Sequence, residues 1–127
     1  MFKKDTRPAV NQEVKNLIAA GCIFEGNLTI TEGITRIDGE VKGNIIGSGG
    51  LIVGEQGSIK GNINVKEVVV YGVVEGDISA NMVELKAKSR VRGNINTSEL
   101  IVERGAVYNG ECRMEVYEKR GAESLTE

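Results

Sequence analysis

A tripeptide of Gly, then Asn or Asp, then Ile or Leu returns along this chain at near-constant spacing, and that periodicity leaves few folds open. It stands at Gly26-Asn27-Leu28, Gly43-Asn44-Ile45, Gly61-Asn62-Ile63, Gly76-Asp77-Ile78 and Gly93-Asn94-Ile95, with a degenerate sixth copy at Gly110-Glu111-Cys112. The steps between these glycines are 17, 18, 15, 17 and 17 residues. Two residues before most of them stands an apolar residue: Val41, Ile59, Val74, Val91 and Tyr108. Midway between copies lies a second alternating pair: Leu51 with Val53, Val68 with Val70, Val83 with Leu85 and Leu100 with Val102. A further glycine recurs four or five residues upstream of the tripeptide, at Gly21, Gly39, Gly57, Gly72 and Gly105, and Lys88-Ser89 breaks that rule. Self-similarity at a fixed period is the mark of a repeat architecture.

A unit of about 17 residues is too short for a helix pair, which needs ~34. Its apolar residues alternate with period two, as in strands. At ~3.3 Å per residue the unit traces roughly 56 Å, enough for a closed coil of three sides with about five residues each. Composition agrees. Only 4% of the 127 residues are aromatic while Gly occurs 17 times and Pro once, which favours short β-branched strands joined at tight corners. A lone coil orders its backbone at a cost of ~1–2 kcal/mol per residue. It buries too few side chains, at ~1.5–3 kcal/mol each, to offset this. Coils must therefore stack and complete one another's core. The expectation is an all-β, parallel β-solenoid of about six coils with a triangular cross-section, about 29 Å tall at the ~4.8 Å strand spacing. Val41, Ile59, Val74, Val91 and Tyr108 are expected in one inward ladder. Leu28, Ile45, Ile63, Ile78, Ile95 and Cys112 are expected in another, with Cys112 a buried structural thiol. A β-sandwich with coincidental spacing is the competing fold.

A solenoid has a sheet edge at each end, and unprotected edges template pairing with another chain. The last coil, Leu100 to Val116, keeps the apolar alternation through Val102, Tyr108, Cys112 and Met114. The first opens with Cys22, Ile23 and Phe24, followed by Leu28. Neither group reads as a polar cap, so both are candidate polymerisation interfaces, and stacking through ends yields an open filament. The alternative is a non-polymerising binding module whose ends are capped by the tails. Val10, Val14, Leu17 and Ile18 stand at roughly helical spacing and are the candidates for such a cap. The sequence divides into a flexible N-terminal tail at 1–21, a β-solenoid at 22–117 and a disordered, polar C-terminal tail at 118–127.

The repeated Gly-Asn-Ile coil, its period and the segment Leu100-Ile101-Val102-Glu103-Arg104-Gly105-Ala106-Val107-Tyr108 resemble the bactofilins, small bacterial proteins that form filaments without nucleotide. The resemblance covers about residues 22–116. It implies a right-handed β-helix between flexible tails and non-polar filaments in which like ends meet. It also implies a scaffold that localises partner proteins of the cell wall, cell shape or division. Family members typically carry an aromatic, often Phe, in the last coil. Here it is Tyr108, whose hydroxyl must reach water or a partner.

Residues 1–20 carry Lys3, Lys4, Arg7 and Lys15 against Asp5 and Glu13, a net charge of +2. Met1 and Phe2 followed by Lys3 and Lys4 make a minimal membrane anchor. The apolar pair enters the acyl boundary and each basic residue contributes ~1 kcal/mol against anionic lipid. A filament would gain avidity by displaying many copies. Many bactofilins resemble this start, which targets the inner membrane face. Leu17 to Ala20 is too short for a signal-peptide core, and the seven residues Val68 to Val74 fall far below the ~20 of a membrane span. The expected location is the cytoplasm, peripheral on the inner face of its membrane. Cys22 and Cys112 are then expected as free thiols.

Catalysis is not expected. There is no His, the commonest general base and metal ligand, which weighs against the left-handed hexapeptide acyltransferases, solenoids of similar coil length that need one. No P-loop Gly-Lys-Ser/Thr is present, so no nucleotide is expected. Gly47-Ser48-Gly49-Gly50 opens no helix and reads as a flexible corner. Glu84 near Lys86 and Lys88 reads as a solvated outer face. The net charge of −2 gives no reason to expect nucleic acid. No cofactor and no metal are expected.

Overall fold

The structure is a computed structural model that describes residues 14–114. Met1, Phe2, Lys3 and Lys4 and the tail at 118–127 lie outside the described residues. Strands stack in six coils. The first is β1 (Val14–Ile18), β2 (Ile23–Glu25) and β3 (Leu28–Ile30). The second is β4 (Ile34–Ile37), β5 (Glu40–Lys42) and β6 (Ile45–Gly47). The third is β7 (Gly50–Val53), β8 (Ser58–Lys60) and β9 (Ile63–Asn64). After β10 (Glu67–Val70) and β11 (Val73–Glu75), β12 (Ile78–Leu85) runs through a corner, closing the fourth coil and opening the fifth. β13 (Arg90–Arg92) follows, and β14 (Ile95–Val102) passes in the same way into the sixth coil, which β15 (Val107–Asn109) and β16 (Cys112–Met114) complete.

Every pairing is parallel, and each strand pairs with its counterpart one coil on, so three faces result. The first face holds β1, β4, β7, β10 and the second halves of β12 and β14. The second holds β2, β5, β8, β11, β13 and β15. The third holds β3, β6, β9, the first halves of β12 and β14, and β16.

The core is a set of ladders, one residue per coil. Phe24, Val41, Ile59, Val74, Val91 and Tyr108 are successive partners on the second face. Leu28, Ile45, Ile63, Ile78, Ile95 and Cys112 are partners on the third. Within them Val41, Ile45, Ile59 and Val74 are 0% exposed. Each such aliphatic contributes ~1.5–3 kcal/mol by leaving water. Both ladders match the sequence expectation, with one correction. Cys112 is exposed rather than buried, because it ends its ladder and no further coil covers it among the described residues.

The repeated tripeptide is explained by two contacts between coils. Gly43 has φ +149° and Gly93 has φ +141°. A Cβ on Gly43 would collide with the carbonyl oxygen of Gly26, and one on Gly93 with that of Gly76. The following residue forms a polar column. Asn27 Oδ1 accepts the Asn44 N–H at 3.2 Å, Asn44 Oδ1 that of Asn62 at 2.9 Å, and Asn62 Oδ1 that of Asp77 at 3.0 Å. Asp77 Oδ1 accepts the Asn94 N–H at 3.0 Å, and Asn94 Oδ1 that of Glu111 at 3.3 Å. Asn and Asp serve equally because only the acceptor oxygen is used.

The other recurring glycines fall in two columns, not one. Gly39, Gly57 and Gly72 share a buried position with Ser89 and the half-buried Ala106, each preceding a strand of the second face. Gly21, Lys88 and Gly105 instead hold the third place of four-residue corners, with φ of +90°, +73° and +96°. Those corners close through N–H donation from Cys22 to Ala19, Ser89 to Lys86 and Ala106 to Glu103. The 15-residue step is the corner Tyr71-Gly72, two residues shorter than Gly54–Gly57, and the ladders continue across it without slipping. Gly47-Ser48-Gly49-Gly50 is a corner as expected, but a tied one. The Gly50 N–H donates to the Gly33 carbonyl at 2.9 Å, and the Ser48 N–H to that of Ile30 at 3.3 Å.

The stretch expected as tail through residue 21 becomes β1 at Val14. It is extended rather than helical and pairs with β4. Asn16 Nδ2 donates to Thr35 Oγ1 at 3.1 Å, giving a partner to a hydroxyl that is otherwise buried in the core.

Candidate polymerisation interfaces

At the C-terminal end the second half of β14, with β15 and β16, offers a sheet edge with no further strand among the described residues. Four inward ladders finish here in the four side chains singled out from the sequence. Val102 follows Leu85, Tyr108 follows Val91, Cys112 follows Ile95 and Met114 follows Thr97. Val102 is 50% and Met114 47% exposed, and Tyr108 is half-buried. The sequence reading omitted Leu100, the half-buried end of the Leu51, Val68 and Val83 ladder. The same period-two alternation marks it.

The Tyr108 hydroxyl finds its partner within the chain, donating to the Glu111 carbonyl at 2.6 Å. Burial, and then the nearby Cys112, push the phenol above its usual range. Although Cys112 is exposed as a residue, its thiol is desolvated enough to be pushed up as well. Beside this edge Lys86 Nζ lies 2.9 Å from Glu84 Oε2 and 3.1 Å from Glu103 Oε2. The Ala87 N–H donates to Glu103 Oε1 at 3.1 Å. That bond first, and Lys86 second, hold the Glu103 carboxyl below its usual range. The expected solvated outer face is thus an ion-paired one at this corner.

At the N-terminal end the four expected residues separate. Phe24 and Leu28 begin inward ladders and are half-buried. Ile23 points outward on β2, 61% exposed, opposite Glu40. Cys22 ends the corner that starts at Ala19, with its side chain exposed and its carbonyl accepting the Glu40 N–H at 2.9 Å. Ile18 and Ile30 also begin inward ladders here. Sequence reasoning missed Ile18 because it placed that residue in the tail. The asparagine column starts at Asn27 and the glycine column at Gly26, whose Cβ direction meets nothing closer than a Phe24 ring carbon at 3.8 Å.

Among the described residues no group of His, Cys, Asp and Glu side chains is placed to hold a metal ion. Among them there is no helix long and apolar enough to cross a membrane. What the geometry offers is two apolar-cored sheet edges, each ending in ladder side chains and in backbone that no other described strand pairs.

Comparison with known proteins bears on what that is. The family model described as "Bactofilin: Polymer-forming cytoskeletal" matches residues 16–113. Bactofilin BacP of Myxococcus xanthus is 35% identical over 99 residues, 77% of this chain and 41% of BacP, so the chain spans less than half the length of that relative. Bactofilin BacO of the same organism is 31% identical over 104 residues, 81% of this chain and 82% of BacO. The solid-state NMR structure of the cytoskeletal bactofilin BacA matches with a TM-score of 0.72 and 36% identity, covering 80% of this chain and 96% of that one.

Proposed function

This chain belongs to the bactofilin family, and from that premise we propose that it is a cytoskeletal scaffold that assembles without nucleotide into filaments through its solenoid ends. The observation that carries this is the pair of open edges. Inward residues that are fully buried in the middle coils are exposed at Val102 and Met114, and no charge or proline lies among those ladder ends. A parallel strand edge with an apolar interior gains both backbone pairing and burial from an added coil. In this reading Val102, Tyr108, Cys112 and Met114 form the C-terminal contact, with Leu100 added. Phe24 and Leu28 lie at the centre of the N-terminal contact, and Cys22 and Ile23 at its rim. Like ends meet, and the chain acts as a structural element with no catalytic step.

The membrane part of the proposal rests on Met1, Phe2, Lys3 and Lys4. They anchor the filament to the inner face of the cytoplasmic membrane, where it localises proteins of wall growth, shape or division. Deleting residues 1–8 is expected to abolish co-sedimentation with anionic vesicles and to leave filaments intact. Retained sedimentation would refute the anchor.

A second reading, a capped binding module, draws support from β1, which covers the first face of the second coil. It leaves the other faces of that end to β2 and β3, whose outer edges carry no further strand among the described residues. Negative-stain imaging of the wild type and Tyr108→Arg separates the readings. Filaments in the wild type and short oligomers in the variant support stacking through the C-terminal edge. Isolated particles in the wild type would favour the capped module.

A further inference from the structure

The outer side of the first face carries a column of six residues, one per coil: Leu17, Arg36, Ile52, Val69, Glu84 and Ile101. Leu17 is 59% and Ile101 41% exposed. Arg36, Ile52, Val69 and Glu84 are half-exposed across the middle of the sheet. The order of this column is self-complementary when reversed. A copy turned end for end, about a two-fold axis lying along the strand direction, sets Leu17 against Ile101, Arg36 against Glu84 and Ile52 against Val69. The neighbouring column behaves alike. Asp38 meets Lys86, and Tyr71 meets Gly54, which has no side chain to obstruct it. We propose that this face is a lateral interface between two copies of the chain, packed face to face with their solenoid axes antiparallel.

On the second face one outer column shares this property, since reversal sets Ile23 against Val107, Glu40 against Arg90 and Ser58 against Val73, but the column beside it does not. The same reversal on the second face sets Lys42 against Arg92, a like-charge pair that disfavours association. On the third face the exposed Ile46 stands among Thr29, Asn64 and Ser79, with no apolar partner on reversal. On the first face the matched charges already sit beside opposite charges within the chain. Arg36 Nε lies 3.0 Å from Asp38 Oδ2, and Lys86 Nζ 2.9 Å from Glu84 Oε2. Pairing two copies therefore sets the Arg36–Asp38 pair against a Lys86 that already bridges Glu84 and Glu103, a network of five charges in which each ion has an opposite partner. Such an interface is isologous, so every contact occurs twice. It uses none of the end-coil ladder residues and is independent of end-to-end stacking.

The test is a charge swap between copies. The full-length wild type is expected to form filaments two solenoids wide in negative stain or, where ends do not stack, a dimer in sedimentation velocity. Arg36→Glu and Glu84→Arg each place like charges opposite and are expected to abolish pairing while circular dichroism stays that of the folded chain. Mixing the two separately prepared variants makes both cross pairs opposite again and is expected to restore pairing. Unpaired wild type, unaffected single variants or no restoration on mixing would each overturn the proposal. So would unpaired wild type that binds phosphatidylglycerol vesicles and loses them in Ile52→Asp, which would make the column a lipid contact instead.

Discussion

Ile18, Phe24, Leu28 and Ile30 start the same four inward ladders that Val102, Tyr108, Cys112 and Met114 finish, yet the two sets meet solvent differently. Ile30 is 2% exposed and the other three at that end are half-buried, whereas Val102 and Met114 are 50% and 47% exposed and Cys112 is open. Part of the cause is local. Ile30 lies against Gly47, whose missing side chain leaves room that the isoleucine fills. At the opposite end Met114 follows Thr97, already a full side chain, and has nowhere to sink. The polar column differs too. It opens with Asn27, whose oxygen accepts from the next coil, and closes with Glu111, which donates its N–H to Asn94 and leaves its carboxylate outward. A repeat therefore guarantees equivalent backbone at its two ends without guaranteeing equivalent surfaces.

The largest effect that tests this contrast separates the middle from the ends. Val74→Asp places a charge in the fully buried ladder and is expected to cost several kcal/mol. That approaches the whole stability of a domain this size, so circular dichroism should lose its β signal at 25 °C. A charge at Tyr108 should leave the fold in place. A folded Val74→Asp chain would show that the core is not as closed as the ladders imply.

Next come the glycines. Gly93→Ala drives a Cβ into the Gly76 carbonyl and is expected to lower the thermal midpoint by many degrees. Gly26→Ala, with no coil beneath it among the described residues, should cost only the ~1–3 kcal/mol of a positive φ. If Gly26→Ala folds but no longer extends at its N-terminal edge, the open space beneath Gly26 is where the next unit docks.

Smaller still is the polar column. Asn62→Ala removes the acceptor of the Asp77 N–H and should cost about 1 kcal/mol in urea unfolding. Glu111→Ala, whose side chain accepts from no further coil, should cost almost nothing. Equal losses would mean that the column works by something other than its acceptors.

The least of the four concerns acid. Glu103 titrates below its usual value in the folded chain. Its contribution is therefore complete above the unfolded value of 4.5 and is lost as pH falls through the lower folded one. NMR titration should place that carboxyl below 4.5, with loosening confined at first to the sixth coil. A Glu103 that titrates at its ordinary value would remove the reason to expect it.

The core was legible in the sequence because inward positions in a strand recur every second residue and each coil repeats them. Val41, Ile59 and Val74 could be aligned from the tripeptide alone. Exposure at the ends was not legible. Cys112 occupies an inward position, but burial depends on a further coil, and none stands beyond it among the described residues. β1 was missed since its pairing with β4 runs at a 19-residue offset after an irregularity near Val14, and it carries no Gly-Asn signature. Two glycine columns one residue apart looked like one because each coil shows a glycine at no more than one of the two places, four residues before the tripeptide at Gly39, Gly57 and Gly72 and five before it at Gly21 and Gly105. Of the candidate interfaces, the C-terminal side chains share one edge, while Cys22 and Ile23 belong to a corner and an outer face. Direction along a strand is readable from alternation, but which residue ends a corner is not.

The corner between the first and second faces changes length from coil to coil, two residues at Tyr71-Gly72 and four at Gly54–Gly57, and the sheets beside it never lose step. It behaves as a splice point that absorbs extra chain without cost to the wall. A foreign loop grafted between Tyr71 and Gly72 would project outward once per chain. In a stack of six-coil units whose like ends meet it would recur at two alternating spacings that average about 29 Å, turning the solenoid into a graduated ruler.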